Sequence, residues 1–249
     1  MKRVDVPPEV LRDCRRGEEL RLPDDTAHYI ANVLRRAPGD KLELFDGAGL
    51  VVVIELVSVD DGVVAKVLDS PDPDENESPV ETVLFQAIPK GKRWKWLLEK
   101  TTELGVDRIV PLETRHTIVQ IPDDRLEKKL DRWNRVLASA ARQCGRLRVP
   151  SIEAPLDVDA ALEEDGSGLH IVADPDDQSP PIADLVAGTS PAPSSVGLWI
   201  GPEGGWTDEE LEKLTSRAVC RVDMGPRILR AETAGIVAVA LIQSTLGDL

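Results

Sequence analysis

The chain has 249 residues, 41% hydrophobic and 30% charged, with 45 acidic side chains against 30 Lys and Arg and a net charge of −15. That length holds one large domain or two modest ones, and no apolar run approaches the roughly 20 residues that span a bilayer. Met1-Lys2-Arg3 leads into no apolar signal core, and three scattered cysteines (Cys14, Cys144, Cys220) and three isolated histidines (His28, His116, His170) make neither a disulfide framework nor a metal cluster, so the expectation is a cytoplasmic protein with no membrane partner and no metal.

Residues 1–70 read mostly as strands. Asp25 to Arg36 has helical patterning and stops at Pro38-Gly39. Lys41 to Phe45 alternates polar and apolar, and Asp46-Gly47-Ala48-Gly49 is turn chemistry. Leu50 to Val57 is strand-like, Asp60-Asp61-Gly62 turns again, and Val63 to Leu68 follows. The pattern predicts a small, mainly β domain over 1–70. Ser70 to Pro79 has no apolar residue apart from its prolines, which places a linker at 71–80 and a second domain at 81–249.

Strands and helices then alternate. Thr82 to Ile88 predicts a strand, and Lys92 to Leu104 a helix that stops at Gly105. Arg108 to Leu112 is a strand and Asp123 to Gln143 a long amphipathic helix. Leu169 to Ala173 and Ser195 to Ile200 are strands, with a Pro/Ser/Ala-rich, partly irregular stretch before the second. Thr207 to Arg217 is a helix opened by a capping box of Thr207 and Glu210. Ala231 to Leu246 closes the chain as a helix apolar nearly all round, which predicts burial in a core or in a two-fold interface. Such alternation predicts an α/β domain with a largely parallel sheet.

Charge is uneven. No Lys or Arg lies between Arg148 and Lys213, whereas Ile88 to Arg148 holds 15 basic residues against 8 acidic. A basic segment inside an acidic chain can meet phosphates, or it can be a set of solvated helix faces. The acidic excess itself is what a protein adapted to high salt carries to stay soluble.

Two glycine-containing stretches stand at strand-to-helix junctions: Ile200-Gly201-Pro202-Glu203-Gly204-Gly205-Trp206, and Met224-Gly225-Pro226-Arg227-Ile228-Leu229-Arg230-Ala231-Glu232-Thr233-Ala234. Glycine permits turns and close backbone approach that other residues resist. The pair therefore reads as two loops of one pocket, or as ordinary turns. Neither is a P-loop, a dinucleotide fingerprint or a nucleophile elbow.

The residues between the glycines carry a resemblance. Together with His28 to Arg36 and Gly39-Asp40, Lys90-Gly91-Lys92-Arg93-Trp94, Glu99 to Val106, and Arg142 to Arg146, they make the chain similar to the SPOUT-class RNA methyltransferases. More closely, it resembles the ribosomal small subunit methyltransferase E family, which methylates N3 of a uridine in 16S ribosomal RNA. Two positions depart from the family's pattern: Arg142, where an acidic residue is usual, and His116, where a Ser is usual.

The resemblance implies an α/β, trefoil-knotted SPOUT domain with a parallel sheet, preceded by a PUA-like barrel. It also implies S-adenosyl-L-methionine as methyl donor, 16S ribosomal RNA or the small subunit as partner, and a homodimer. The donor residues it implies are Ile200, Gly201, Pro202, Glu203, Gly204 and Gly205 on the first loop. On the second they are Met224, Gly225, Ile228, Leu229, Arg230, Ala231, Thr233 and Ala234. Ile228 and Leu229 offer aliphatic walls and backbone groups to an adenine. Gly201, Gly204 and Gly225 are expected to let the loops close on the cofactor. Glu203 holds a ribose hydroxyl or a loop amide, and Thr233 touches the ligand or caps the last helix.

Uridine N3 is a poor nucleophile until its proton is lost, so a cation on the carbonyl oxygens or a base is needed. Arg230 is the candidate cation. Glu232 is the candidate base, or the group that orients Arg230; alternatively the two pair across the first helical turn. Arg35, Arg36, Lys90, Lys92, Arg93, Arg115 and Arg146 are the candidate RNA contacts, with Trp94 either stacking on a base or lying in the core. Two alternatives keep the fold: methylation at another ribosomal or transfer RNA position, and RNA binding without catalysis in ribosome assembly.

Overall fold

A computed structural model describes residues 1–60, 62–70, 77–163, 168–174, 176 and 178–249. Asp61 of the second expected turn and residues 71–76 of the expected linker lie outside the described residues. By contacts the chain forms two units: Met1–Glu77 with Ala141–Val149, and Ser78–Ala140 with Pro150–Leu249. Residues 141–149, which lie within 81–249 in the linear reading, thus pack with the first unit.

In the first unit, β1 (Lys2–Asp5), the short helix α1 (Pro8–Leu11) and β2 (Glu19–Arg21) precede α2 (Asp24–His28). α2 continues as a π-helical turn over Tyr29–Val33 and stops before Arg35, whose φ of 52° breaks the helical path. The helix expected over 25–36 is therefore shorter. β3 (Lys41–Phe45), β4 (Val51–Ser58) and β5 (Val64–Asp69) complete a five-stranded sheet of order β1-β3-β4-β5-β2. β1 runs parallel to β3 and the other pairs are antiparallel. Strand alternation sends Leu42, Leu44, Val52, Ile54, Ala65 and Val67 into one core with Ile30. Ala141, Leu147 and Val149 return to pack on Phe45 and Val51, and the Val149 amide donates to the Gly47 carbonyl at 2.9 Å. Arg142, at one departure from the family pattern, pairs with Asp5.

The second unit follows the expected alternation. β6 (Glu81–Ala87), α3 (Arg93–Glu103), β7 (Arg108–Leu112) and α4 (Asp123–Cys144) lead to β8 (Ser151–Ile152), α5 (Val158–Glu163), β9 (Leu169–Val172), α6 (Ile182–Gly188), β10 (Ser195–Ile200), α7 (Asp208–Ser216), β11 (Cys220–Arg221) and α8 (Ala231–Leu246). Its six strands lie in the order β11-β9-β10-β6-β7-β8 and all pairs are parallel. Helices on both faces explain why β6 and β10 are buried almost throughout, the polar Thr82 and Gln86 of β6 included. Phe85 and Trp199 stack across them with centroids 4.0 Å apart. Gly105, at φ 92°, ends α3, and the Thr207–Glu210 capping box forms in full. β8, α5, α6 and β11 were not visible in the sequence pattern. α8 buries Gly235, Ala238, Val239 and Ile242, but leaves Ile236, Val237, Ala240 and Leu241 half-exposed. A Cβ on Gly235 would lie 2.3 Å from Gln86 Oε1, so glycine sets how closely α8 approaches β6. No described helix is long and apolar enough to cross a membrane.

Candidate functional site

β9, β10 and β11 are adjacent and parallel, so the loops leaving their C-terminal ends emerge on one side of the sheet, where open α/β sheets bind ligands. Those loops and the first turn of α8 line a cleft of about 590 Å³. That is within the usual range for a small-molecule site.

Of the expected donor residues, Ile200, Gly201, Pro202, Glu203, Gly205, Met224, Gly225, Ile228, Leu229, Arg230, Ala231 and Ala234 line this cleft. Gly204 and Thr233 are not among its lining residues. The lining also includes Trp206, Pro226 and Arg227, which the two motifs contained, and Ala173, Asp174, Val222 and Asp223, which they did not. Those four come from strand ends, and only the pairing of β9 with β10 and β11 reveals them.

Two of the three first-loop glycines are explained by packing against this chain's own side chains, whereas Gly205, at φ 73° with nothing near its missing Cβ, is required by its own backbone. A Cβ at Gly201 would sit 2.8 Å from the Trp206 indole nitrogen, and one at Gly204 would sit 2.9 Å from His116 Cβ. Packing against Trp206 and His116 thus by itself requires glycine at these two positions, and Gly201 also lines the cleft. His116, the other departure from the family pattern, has Nδ1 3.0 Å from the Gly205 carbonyl oxygen and so supports this loop. Glu210 ties the loop's far end down, its carboxylate accepting from the Arg115 and Thr207 amides at 2.8 and 2.9 Å.

The second loop is open. Gly225 has φ 98° with nothing near its missing Cβ, so conformation and not space requires glycine there. Its amide donates to Asp223 Oδ1 at 2.9 Å, fixing the turn. Ile228 is fully solvent-exposed beside the cleft. At the β9 end, Asp174 pairs with Arg221 at 2.7 Å; burial raises its carboxyl above the ordinary range, and Arg221 opposes that shift.

Arg230 is the N-cap residue of α8 and is exposed at the cleft. It forms neither the expected pair with Glu232 nor any other described ion pair. Glu232 is 5% exposed, does not line the cleft, and has Oε1 3.4 Å from Arg93 Nε. Glu232 thus stands back from the cleft, where a base would act, and does not meet Arg230 directly. Glu203, expected on a ribose or a loop amide, instead accepts from Arg93 Nη1 at 3.3 Å. No side chain caps α8, so the capping role for Thr233 is also not realised.

The candidate RNA contacts separate by exposure. Arg35, Lys90, Lys92 and Arg115 are exposed. Arg36 lies 3.8 Å from Asp40. Arg146 is corrected: it is 5% exposed and held by Glu77 at 2.7 Å, while the same carboxylate accepts from the Leu147 and Arg148 amides. Trp94 is buried edge-on against Trp133, with centroids 5.4 Å apart, so the core alternative holds.

Comparisons with known proteins converge on one family. The family model described as an RNA methyltransferase domain matches residues 76–243, and the RNA methyltransferase PUA domain matches residues 22–68. The ribosomal RNA small subunit methyltransferase E of Synechocystis is 34% identical over 88% of this chain and 71% of its own length. That of Bacillus subtilis is 30% identical over 91% and 87%. The crystal structure of the same-named protein of Neisseria gonorrhoeae, bound to S-adenosyl methionine, superposes with a TM-score of 0.84 at 31% identity, over 100% of this chain and 99% of that one.

Proposed function

From the premise that the chain belongs to the ribosomal RNA small subunit methyltransferase E family, we propose that it transfers a methyl group from S-adenosyl-L-methionine to N3 of a uridine in 16S ribosomal RNA, in the cytoplasm. The observation that carries this reading is the cleft itself: two glycine-containing loops meeting at the C-terminal ends of three parallel strands.

The lining suits the donor's chemistry. Ile200, Leu229 and Ala234 offer apolar surface to the adenine, and the loop backbones offer hydrogen bonds to its edges. Asp174, Glu203 and Asp223 put negative charge beside a ligand that carries an ammonium and a sulfonium. When bound, the donor would supply the methyl carbon, to which the N3 lone pair bonds in line as the carbon–sulfur bond breaks with its electrons on sulfur, the N3 proton passing to water. The chain's own task is to orient the base and lower the cost of that proton's loss. Arg230 serves as the cation: its guanidinium donates to the uridine carbonyl oxygens and stabilises the anion. Arg35, Lys90, Lys92 and Arg115 are the phosphate contacts this reading retains, and the target base must be unpaired or flipped out to reach the cleft.

We further read the half-exposed Ile236, Val237, Ala240 and Leu241 stripe of α8 as part of a two-fold interface. Light scattering tests this: a dimer is expected at micromolar concentration, and a monomer refutes it. Mass mapping of 16S RNA from cells lacking the gene tests the reaction. Loss of one N3-methyluridine is expected; loss of a different modified nucleotide would overturn the uridine-N3 assignment.

A further inference from the structure

Arg93 sits in the basic run that begins at Lys90, yet it differs from its neighbours. Lys90 and Lys92 are exposed and form no ion pair among the described residues. Arg93, the first residue of α3, reaches carboxylates on two separate elements: Nη1 lies 3.3 Å from Glu203 Oε1, and Nε 3.4 Å from Glu232 Oε1. Glu203 belongs to the first glycine loop. Glu232 belongs to the first turn of α8, two residues after Arg230. One side chain thus joins three elements, two of which wall the cleft.

The two partners differ. The Glu203 side chain is 34% exposed, whereas that of Glu232 is 6% exposed and its Oε2 has no hydrogen-bond partner. A buried carboxylate with one free oxygen depends heavily on its single cation. Glu203 contributes less, because water screens it.

We propose that Arg93 is a positioning residue for methyl transfer: it clasps the first glycine loop to the start of α8, which sets the width of the cleft and the presentation of Arg230. This rests on the donor reading of the cleft. Glu232 is the fixed end of the clasp, Glu203 the movable end, and neither Arg93 nor Glu232 touches the reacting atoms.

The test uses the full chain with Arg93→Met, Arg93→Lys, Glu203→Gln and the Arg93→Met/Glu203→Gln double variant. Three quantities are measured: amide hydrogen exchange over 201–205 and 231–235, calorimetric affinity for S-adenosylmethionine, and the salt dependence of binding to a 16S RNA fragment. Arg93→Met is expected to speed exchange in both segments and weaken the donor, each about tenfold, with an unchanged salt slope. Glu203→Gln, at an exposed position that folding tolerates, speeds exchange in 201–205 alone. Arg93→Lys restores part of the loss, and the double variant is no worse than Arg93→Met. Unchanged exchange in both segments together with a salt slope lowered by about one makes Arg93 a phosphate contact and overturns the clasp. A wild-type protein that fails to bind the donor sinks the donor reading, while the exchange data still decide for or against the clasp.

Discussion

The two glycine loops look alike in sequence, yet two of the first loop's three glycines answer to neighbouring side chains, whereas Gly225, like Gly205, answers only to its own backbone. In the first, Ile200, Pro202 and Trp206 are buried, and Gly201 and Gly204 are held against Trp206 and His116. In the second, Gly225 to Ile228 are exposed, and Gly225 has only its positive φ to justify it. A glycine required by a neighbouring side chain marks a wall. A glycine required by its own backbone marks a turn that neighbours leave free. The cleft thus has one packed side and one open side, and the open side carries Arg230.

Replacing Arg230 sharpens that contrast most. Arg230→Ala is expected to lower single-turnover methylation by about 100-fold or more while donor affinity, by calorimetry, moves much less. A variant with near-normal turnover removes the catalytic cation from the open side. Next in size is Gly201→Ala. Its Cβ must displace a buried ring, so thermal or denaturant unfolding should show a loss of about 2 kcal/mol, with partial relief when Trp206→Phe removes the indole nitrogen. Full additivity of the two would mean the indole is not the obstacle. Gly225→Ala should cost about 1 kcal/mol through backbone strain. No neighbour substitution should relieve it, whereas Gly225→Asn should cost less than Gly225→Ala. Relief by a side-chain change nearby would erase the distinction between the loops. The smallest effect is His116→Ala, about 0.5 kcal/mol, with faster amide exchange confined to 201–206. Equal speeding in the second loop would show that the two walls move together.

Much of this is legible in the sequence alone. The alternation in Lys41–Phe45, the turn at Asp46–Gly49 and the capping box of Thr207 and Glu210 are local signals, and local signals survive in sequence. The two loops carry a one-pocket reading beside that of ordinary turns, and both line one cleft. What was hidden is long-range. The two-residue strands β8 and β11 exist only through their partners in the sheet. The return of residues 141–149 to the first unit depends on Phe45, Val51 and Gly47, about a hundred residues away. Arg146 read as a phosphate contact because its partner, Glu77, lies 69 residues earlier at the end of a polar run. Glu232 read as a base for the same reason: nothing in the local sequence tells that Arg93 reaches it. Asp174 joined the cleft through strand order alone.

The central claim is that this cleft binds the methyl donor, and titration calorimetry of S-adenosylmethionine into the purified chain tests it most directly. One saturable site per chain is predicted, with binding lost in Gly201→Ala and retained in Arg230→Ala. The absence of saturable heat from the folded wild-type protein, or binding indifferent to Gly201→Ala, would contradict it.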